Sequence, residues 1–155
     1  MVRSDGWTLQ GCGKKCSDEV IAALPHGCLE HNTLVYSHGT LNGRKVWTSL
    51  YKRPKKRDSG CYFLAINKLS KNKRFLVVRF LVHCSQCKVL FIIGQEMLAT
   101  QYHYMGIVIS NTFLTQPSAD NVPSNCSDFH WCPAYFIRVD EKRIFSVDQE
   151  IKLSD

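Results

Sequence analysis

Short apolar runs recur along most of the chain, and a turn signal separates each run from the next. Val46, Thr48 and Leu50 alternate with polar or aromatic neighbours, which is typical of a strand with one buried face. Asn42-Gly43, just before this run, is the dipeptide most typical of a two-residue β-hairpin turn. No stretch has the strand–helix–strand order of a parallel α/β fold. Turn signals spaced by about 8–12 residues favour an all-β sandwich or barrel.

We therefore expect an all-β fold, a small antiparallel β-barrel or sandwich of about seven or eight short strands. The one predicted helix is short and N-terminal: Ser17 is a typical N-cap residue, and Pro25 ends the helix after Leu24. The stretch from 115 to 132 holds two prolines and several serines. It is predicted to be an irregular surface loop.

The chain length of 155 residues suits one globular domain. We expect a Cys/His-rich N-terminal segment, residues 1–32, followed by a β-barrel domain, residues 33–155. The N-terminal sequence has no apolar core of the kind found in a secretory signal. No apolar run approaches the roughly 20 residues of a membrane span. The expectation is a protein without a membrane segment, located in the nucleus or elsewhere inside the cell.

The charge of the chain favours an acidic partner. There are 20 Lys and Arg residues against 13 Asp and Glu, a formal net charge of +7, and such an excess attracts polyanions such as nucleic acid. Seven of the basic residues lie just before or just after the strand predicted at 46–50. The residues predicted to contact nucleic acid are Arg44, Lys45, Lys52, Arg53, Lys55, Lys56 and Arg57. The run from 52 to 57 is also typical of a nuclear import signal; a solvated turn between two strands is the alternative.

Aromatic residues lie among these basic residues. Trp47 and Tyr51 are separated by an even number of positions, so both are predicted on the polar face of one strand. There they can stack on bases or surround a methylated lysine. The alternative is that they cover the outside of the barrel.

The eight cysteines and six histidines suggest metal binding, because an intracellular protein keeps its thiols reduced. Cys12, Cys16, Cys28 and His31 provide four donors of the types that zinc prefers. Zinc there would help to order a loop-rich segment with little apolar core of its own. We therefore predict a structural zinc ion as the only cofactor. The alternative is a set of buried thiols and surface imidazoles.

Two further Cys/His groups leave an enzyme open as an alternative. The first is His83 with Cys84 and Cys87, a Cys-x2-Cys pair that suits zinc or redox chemistry. The second comprises Cys126, His130 and Cys132, which could complete a site with the first. No established signature of a catalytic Cys, serine hydrolase, metalloprotease or P-loop occurs. Binding is therefore expected rather than catalysis.

The order of several short patterns resembles a known module. The patterns are Leu-Asn-Gly-Arg-Lys-Val-Trp-Thr-Ser-Leu-Tyr-Lys-Arg over 41–53, Lys-Arg-Asp-Ser-Gly over 56–60, strands at 75–82 and 89–93, Ala-Tyr-Phe-Ile-Arg-Val over 134–139, and Ile144. This order is similar to the β-rich C-terminal module of proteins encoded by CACTA-like DNA transposons and by host genes derived from them. The resemblance covers roughly residues 33–150 and implies a BAH-like barrel that binds chromatin or protein, without catalytic residues at these positions.

The sequence thus predicts a non-enzymatic, intracellular binding module for nucleic acid or a chromatin protein, with the basic loop as its contact. Two alternatives stay open. One is a zinc- or cysteine-dependent enzyme that uses a Cys/His cluster. The other is a structural or assembly module of a larger viral or transposon-derived protein, which a large apolar surface patch and self-association would favour.

Overall fold

The computed structural model describes residues 2–25, 32–48 and 61–147. Within them lie the helix α1 (Asp18–Ala23) and the strands β1 (Arg3–Ser4), β2 (Trp7–Gln10), β3 (Lys14–Lys15), β4 (Thr33–Tyr36), β5 (His38–Leu41), β6 (Arg44–Trp47), β7 (Tyr62–Asn67), β8 (Lys73–Cys84), β9 (Val89–Tyr104), β10 (Ile107–Asn125), β11 (Phe129–Val139) and β12 (Lys142–Val147). The strand pairings are antiparallel. The predicted all-β fold with a short N-terminal helix is confirmed, with strands longer than expected: β9 has 16 residues and β10 has 19.

The predicted hairpin turn joins β5 to β6. Asn42 has φ 50° and Gly43 has φ 84°, and a two-residue turn with positive φ at both positions is the type that matches the twist of a hairpin. The turn sets the register, so that Leu41 lies opposite Arg44 and His38 lies opposite Trp47.

The helix α1 forms at the predicted place. The Ser17 hydroxyl accepts a hydrogen bond from the Val20 backbone N–H at 3.4 Å, which satisfies one of the unpaired donors of the first turn. Asp18 and Glu19 occupy that turn, where negative charge is favourable. In the part of the chain that the structure describes, no helix is long and apolar enough to cross a membrane.

The predicted surface loop over 115–132 is wrong, because most of it is strand. β10 continues to Asn125, and β11 begins after a short 3-10 turn, Cys126–Asp128. Pro117 lies opposite Met97 and Pro123 opposite Ile93, with a register shift between Pro117 and Asn121. Among the described residues, this part of β10 pairs only with β9. A strand paired on one side tolerates proline, because the missing N–H is not needed by a second neighbour.

The strands form two sheets. The small sheet has the order β1-β2-β5-β6, and the large sheet has the order β3-β4-β8-β7-β11-β12-β10-β9. β8 also pairs with β9, so six strands of the large sheet pair in a ring. The small sheet and the pair β3-β4 lie outside this ring. The fold as a whole is therefore not the closed barrel that was one of the two predicted forms.

The small sheet covers part of one face of the large sheet. Trp7, fully buried on β2, packs against Phe63 of β7 and Trp131 of β11 with ring centroids 5.6 and 5.4 Å apart. Leu9 and Val46 belong to the same core cluster. The N-terminal strand β2 therefore contributes to the main core.

Candidate functional site

The outer face of the small sheet is polar and partly basic. Side chains alternate along a strand, so the register shows which residues of the small sheet lie side by side on the face opposite to Trp7 and Val46. They are Arg3, Thr8, Gln10, His38, Thr40, Lys45 and Trp47. We call this set the outer face.

Trp47 is the apolar centre of the outer face. The His38 ring stacks on the indole, with centroids 5.7 Å apart and planes at 29°. The Lys45 ammonium lies 5.8 Å from the centroid of the same indole, within the range of a cation–π interaction. A cation and two rings are thus held together on one surface of the small sheet.

The end of β6 is fixed next to this group. The Thr48 hydroxyl donates a hydrogen bond to the Ser37 carbonyl at 2.6 Å, and the Thr48 backbone N–H donates to the same oxygen at 3.0 Å. The Ser37 hydroxyl lies 3.0 Å from His38 Nδ1. These bonds hold the strand end from which the basic run follows in sequence.

Arg44 was predicted to contact nucleic acid together with Lys45, but the two residues point to opposite faces of β6. The Arg44 guanidinium lies 5.2 Å from the centroid of the Tyr135 ring on β11. This cation–π contact joins the edge of the small sheet to the large sheet. Arg44 is half-buried and contributes to packing between the sheets rather than to the outer face.

Several predicted site residues lie outside the described residues. They are Tyr51, Lys52, Arg53, Lys55, Lys56 and Arg57 of the basic run, and Cys28 and His31 of the predicted zinc set. Their predicted roles remain predictions. The described chain stops at Thr48, directly after Trp47 and before the basic run that starts at Lys52.

His38 is a member of the site that the sequence reasoning missed. The signal was present, because a two-residue turn at Asn42-Gly43 fixes the pairing of the strands on either side. Counting outward from that turn places His38 opposite Trp47, as the structure shows.

The predicted zinc ligands of the described part differ in environment. Cys12 is exposed, whereas Cys16 is buried and its thiol donates a hydrogen bond to the Thr33 carbonyl at 3.4 Å. Thr33 in turn lies opposite Cys84 of β8. Cys84 is thus close to the N-terminal cysteine segment, which the sequence had placed in a separate group.

The turn between β8 and β9 stabilises the thiolate form of Cys84. Burial raises the pKa of this thiol, but hydrogen bonds from the Cys87 backbone, the Thr33 side chain, the Cys87 side chain and the Gln86 backbone outweigh burial and lower it. The Cys87 N–H lies 3.5 Å from Cys84 Sγ. His83 is adjacent in sequence but lies on the other face of the strand, so it does not form a Cys–His pair with Cys84.

Cys126 and Cys132 lie away from that turn. Cys126 belongs to the core under the small sheet, Cys84 to a second cluster beside α1, and Cys132 packs against a third. Burial raises the pKa of both the Cys126 and the Cys132 thiol. Among the described residues, no three His, Cys, Asp or Glu side chains gather in a way that could hold a metal ion. The structure therefore does not bring together the predicted joint site of Cys84, Cys87 and the group at 126–132.

A second exposed surface is apolar. Tyr135, Ile137 and Val139 of β11 are 43, 51 and 46% exposed. Ile137 lies opposite Ile144, which lies opposite Leu114, so apolar side chains continue across three strands. They occupy the same face of β11 as Trp131, beyond the area that the small sheet covers. We call this surface the apolar face.

Comparison of the chain with protein-family models, curated proteins and solved structures finds no match.

Proposed function

We propose that the protein binds single-stranded nucleic acid through the outer face of the small sheet and the basic run that follows β6. The observation that carries this proposal is the cluster of Lys45, Trp47 and His38 on one exposed surface. It adjoins, in sequence, five basic residues among the six from Lys52 to Arg57.

The chemistry of the cluster suits this ligand. Every base has a π face, and stacking on an aromatic side chain contributes about 1–3 kcal/mol per base with little dependence on sequence. Basic side chains that neutralise phosphates release counterions, which adds affinity that falls steeply with salt. A single strand is favoured over a duplex because its bases are free to stack on Trp47.

The nuclear location is part of the same proposal. The run Lys52–Arg57 has the composition of an import signal, and the resemblance to a BAH-like module of transposon-encoded proteins implies work on chromatin. A chromatin protein is the competing partner. It would dock on the same aromatic residues, and the binding experiment distinguishes the two.

Fluorescence anisotropy with a labelled single-stranded DNA or RNA of about 20 nucleotides tests the proposal. Affinity is measured between about 50 and 200 mM salt, where bound phosphates produce a steep linear fall of log K against log salt. Replacing Lys52, Arg53, Lys55, Lys56 and Arg57 by Ser reduces the slope by about 0.7 for each phosphate that the variant no longer neutralises. Trp47→Ala weakens binding roughly 5- to 150-fold, the equivalent of about 1–3 kcal/mol.

Matched controls distinguish binding at this site from nonspecific electrostatic or hydrophobic binding elsewhere on the surface. Lys142→Ser removes one positive charge from β12, and Tyr104→Ala removes an exposed aromatic ring at the far end of β9. Both are expected to retain wild-type affinity. Absence of salt-dependent binding in the wild-type protein would exclude the nucleic-acid proposal, and binding of a histone-tail peptide that Trp47→Ala abolishes would favour a chromatin protein instead.

The apolar face favours one alternative, a structural or assembly module. Exposed apolar side chains on neighbouring strands form a surface of the kind that marks protein contacts. Sedimentation velocity over a range of concentrations tests this function. Ile137→Glu is expected to abolish self-association, whereas Leu69→Glu, at a 94% exposed leucine in the β7–β8 turn, leaves it unchanged. A wild-type protein that stays monomeric at all concentrations rules out self-assembly through this face.

A further inference from the structure

Two thiols lie together in the turn between β8 and β9. Cys84 ends β8, Cys87 follows after two intervening residues, and β9 begins at Val89. The Cys87 thiol and the Cys87 backbone N–H both donate hydrogen bonds to Cys84 Sγ, the N–H at 3.5 Å. The two sulfur atoms are therefore neighbours before any reaction. Side chains that already point at each other are what a disulfide needs in order to form without moving the backbone.

The turn is held in one conformation by the residue before β4. The Asn32 carbonyl accepts hydrogen bonds from the Ser85 N–H at 2.9 Å and from the Ser85 hydroxyl at 3.0 Å. The Asn32 side-chain amide donates to Gln86 Oε1 at 3.0 Å. Lys88 has φ 55°, a left-handed conformation that is uncommon for a residue with a side chain and that reverses the chain directly after Cys87. The fold therefore fixes the spacing of the two thiols.

The two sulfur atoms differ in their access to solvent. Cys87 is exposed, whereas Cys84 is buried in the apolar cluster beside α1, so a reagent in solution reaches Cys87 first. Burial raises the pKa of Cys84, but hydrogen bonds from the turn and from Thr33 outweigh burial and lower it. A thiolate is the form of cysteine that attacks a disulfide. Cys84 is thus placed to attack Cys87 after Cys87 has reacted.

Cysteines elsewhere in the described chain have different surroundings. Cys126 belongs to the core cluster under the small sheet, and Cys132 packs against another cluster. Burial raises the pKa of both thiols, and such buried thiols are inert. Cys12 is exposed and provides a comparison for a reactive thiol outside the turn.

We propose that Cys84 and Cys87 form a reversible disulfide by exchange with a low-molecular-weight disulfide such as oxidised glutathione. The Cys87 thiol loses its proton to solvent, and its sulfur attacks one sulfur of the oxidant. A Cys87–glutathione bond forms, the sulfur–sulfur bond of the oxidant breaks, and one glutathione leaves as a thiolate. The Cys84 thiolate then attacks Cys87 Sγ, and the second glutathione leaves in the same way. Both departing thiolates take up the protons that the two cysteines released, so two protein thiols are oxidised and one oxidised glutathione is reduced to two glutathione molecules.

The site is independent of nucleic-acid binding, because the turn contributes no residue to the outer face. A disulfide also needs only these two thiols. In a reducing compartment it forms transiently and is reversed by reduced glutathione. The turn would therefore respond to the ratio of oxidised to reduced glutathione around the protein.

The test is incubation of the full chain, with a chelator present, in mixtures of oxidised and reduced glutathione, followed by acid quenching, alkylation and peptide mass spectrometry. In the wild type we expect a Cys84–Cys87 disulfide that reduced glutathione reverses. Cys84→Ala is expected to stop at a Cys87–glutathione adduct. Cys87→Ser is expected to form neither product at the turn, because Cys84 is buried. Cys12→Ser removes an exposed thiol and Cys132→Ser a half-buried one; both are matched controls and are expected to form the disulfide as the wild type does.

A time course on the wild-type protein covers variants that fold poorly. The Cys84–Cys87 disulfide is expected to accumulate at the expense of the Cys87–glutathione adduct. The proposal is overturned by a wild-type protein in which that adduct persists, in which neither cysteine of the turn reacts, or in which Cys84 pairs with a cysteine other than Cys87.

Discussion

The small sheet has a tryptophan on each face, Trp7 on the buried face and Trp47 on the outer face. Substitution by alanine is therefore expected to lower stability at Trp7 and nucleic-acid affinity at Trp47. Trp7 points inward, is 0% exposed, and packs on Phe63 and Trp131 with ring centroids 5.6 and 5.4 Å away. Trp131 is itself held by a hydrogen bond from its indole N–H to the Cys126 carbonyl at 3.0 Å. Trp47 points outward and is half-exposed. Trp7→Ala and Trp47→Ala therefore delete the same group from the core and from the surface of one sheet.

The expected changes in the free energy of unfolding differ clearly between Trp7→Ala and Trp47→Ala. Deleting a buried tryptophan costs about 3–5 kcal/mol, because both transfer free energy and packing are lost, out of a total stability of about 5–15 kcal/mol for a domain. Trp47→Ala removes a cation–π interaction of about 0.5–1 kcal/mol at an exposed site. Trp7→Phe is a useful third variant. The Trp7 indole N–H is buried and has no hydrogen-bond partner among the described residues, and an unpaired buried donor costs about 1–3 kcal/mol. Trp7→Phe removes this unpaired N–H, and the free energy gained offsets much of the stability lost with the smaller ring.

Urea unfolding followed by far-ultraviolet circular dichroism measures these differences without depending on tryptophan fluorescence. With a slope of about 1–3 kcal/mol per molar urea, Trp7→Ala lowers the midpoint by about 1 M or more, and Trp47→Ala leaves it nearly unchanged. In the nucleic-acid binding assay we expect the reverse order, with Trp47→Ala lowering the affinity more than Trp7→Ala. If Trp7→Ala and Trp47→Ala have equal free energies of unfolding, the small sheet does not pack on the large one as described.

Three further predictions concern stability. Ser17→Ala removes the N-cap of α1 and is expected to lower the free energy of unfolding by about 0.5–2 kcal/mol, with Ser17→Asn nearly unchanged in the same urea assay. Gly39→Ala places a Cβ 2.5 Å from the Thr8 carbonyl oxygen, an overpacking that is expected to cost about 1–3 kcal/mol. Burial raises the pKa of the Cys126 and Cys132 thiols above the ordinary value of 9.0. Their contribution to stability is therefore fully present below pH 9.0 and is lost as the pH rises above it through the folded pKa. Cys132→Ala is expected to flatten the fall in urea midpoint above pH 9.0, and an unchanged slope there would contradict the raised pKa.

Features governed by neighbouring residues were predictable from the sequence. The Asn42-Gly43 turn and the Ser17 cap each depend on a few adjacent residues, and both formed where predicted. The position of Trp47 and Lys45 on one face followed from strand alternation alone. The same rule places Arg44 on the opposite face of β6 from Lys45, a separation that grouping the two residues by charge does not take into account.

Features that depend on distant partners were not predictable. The prolines and serines of 115–125 favour a loop locally, but β9 supplies a long strand against which β10 pairs, and this pairing outweighs the local preference. The short N-terminal strands carry no local sign of what they pack against, yet their core partners are Phe63 and Trp131. Proximity of Cys84 to Cys16 likewise follows from the pairing of β4 with β8, for which no local pattern exists.

The arrangement of β6 explains how stability and recognition can be separated in so small a sheet. Val46 and Arg44 point inward, where Val46 is fully buried and Arg44 contacts Tyr135 at the border of the apolar face. Lys45 and Trp47 point outward, where little apolar area is removed from water and substitution therefore costs little stability. Changes at the outward positions can thus alter what the surface binds without unfolding the sheet. Changes at the inward positions affect binding only by moving β6, the strand that carries the inward and the outward residues.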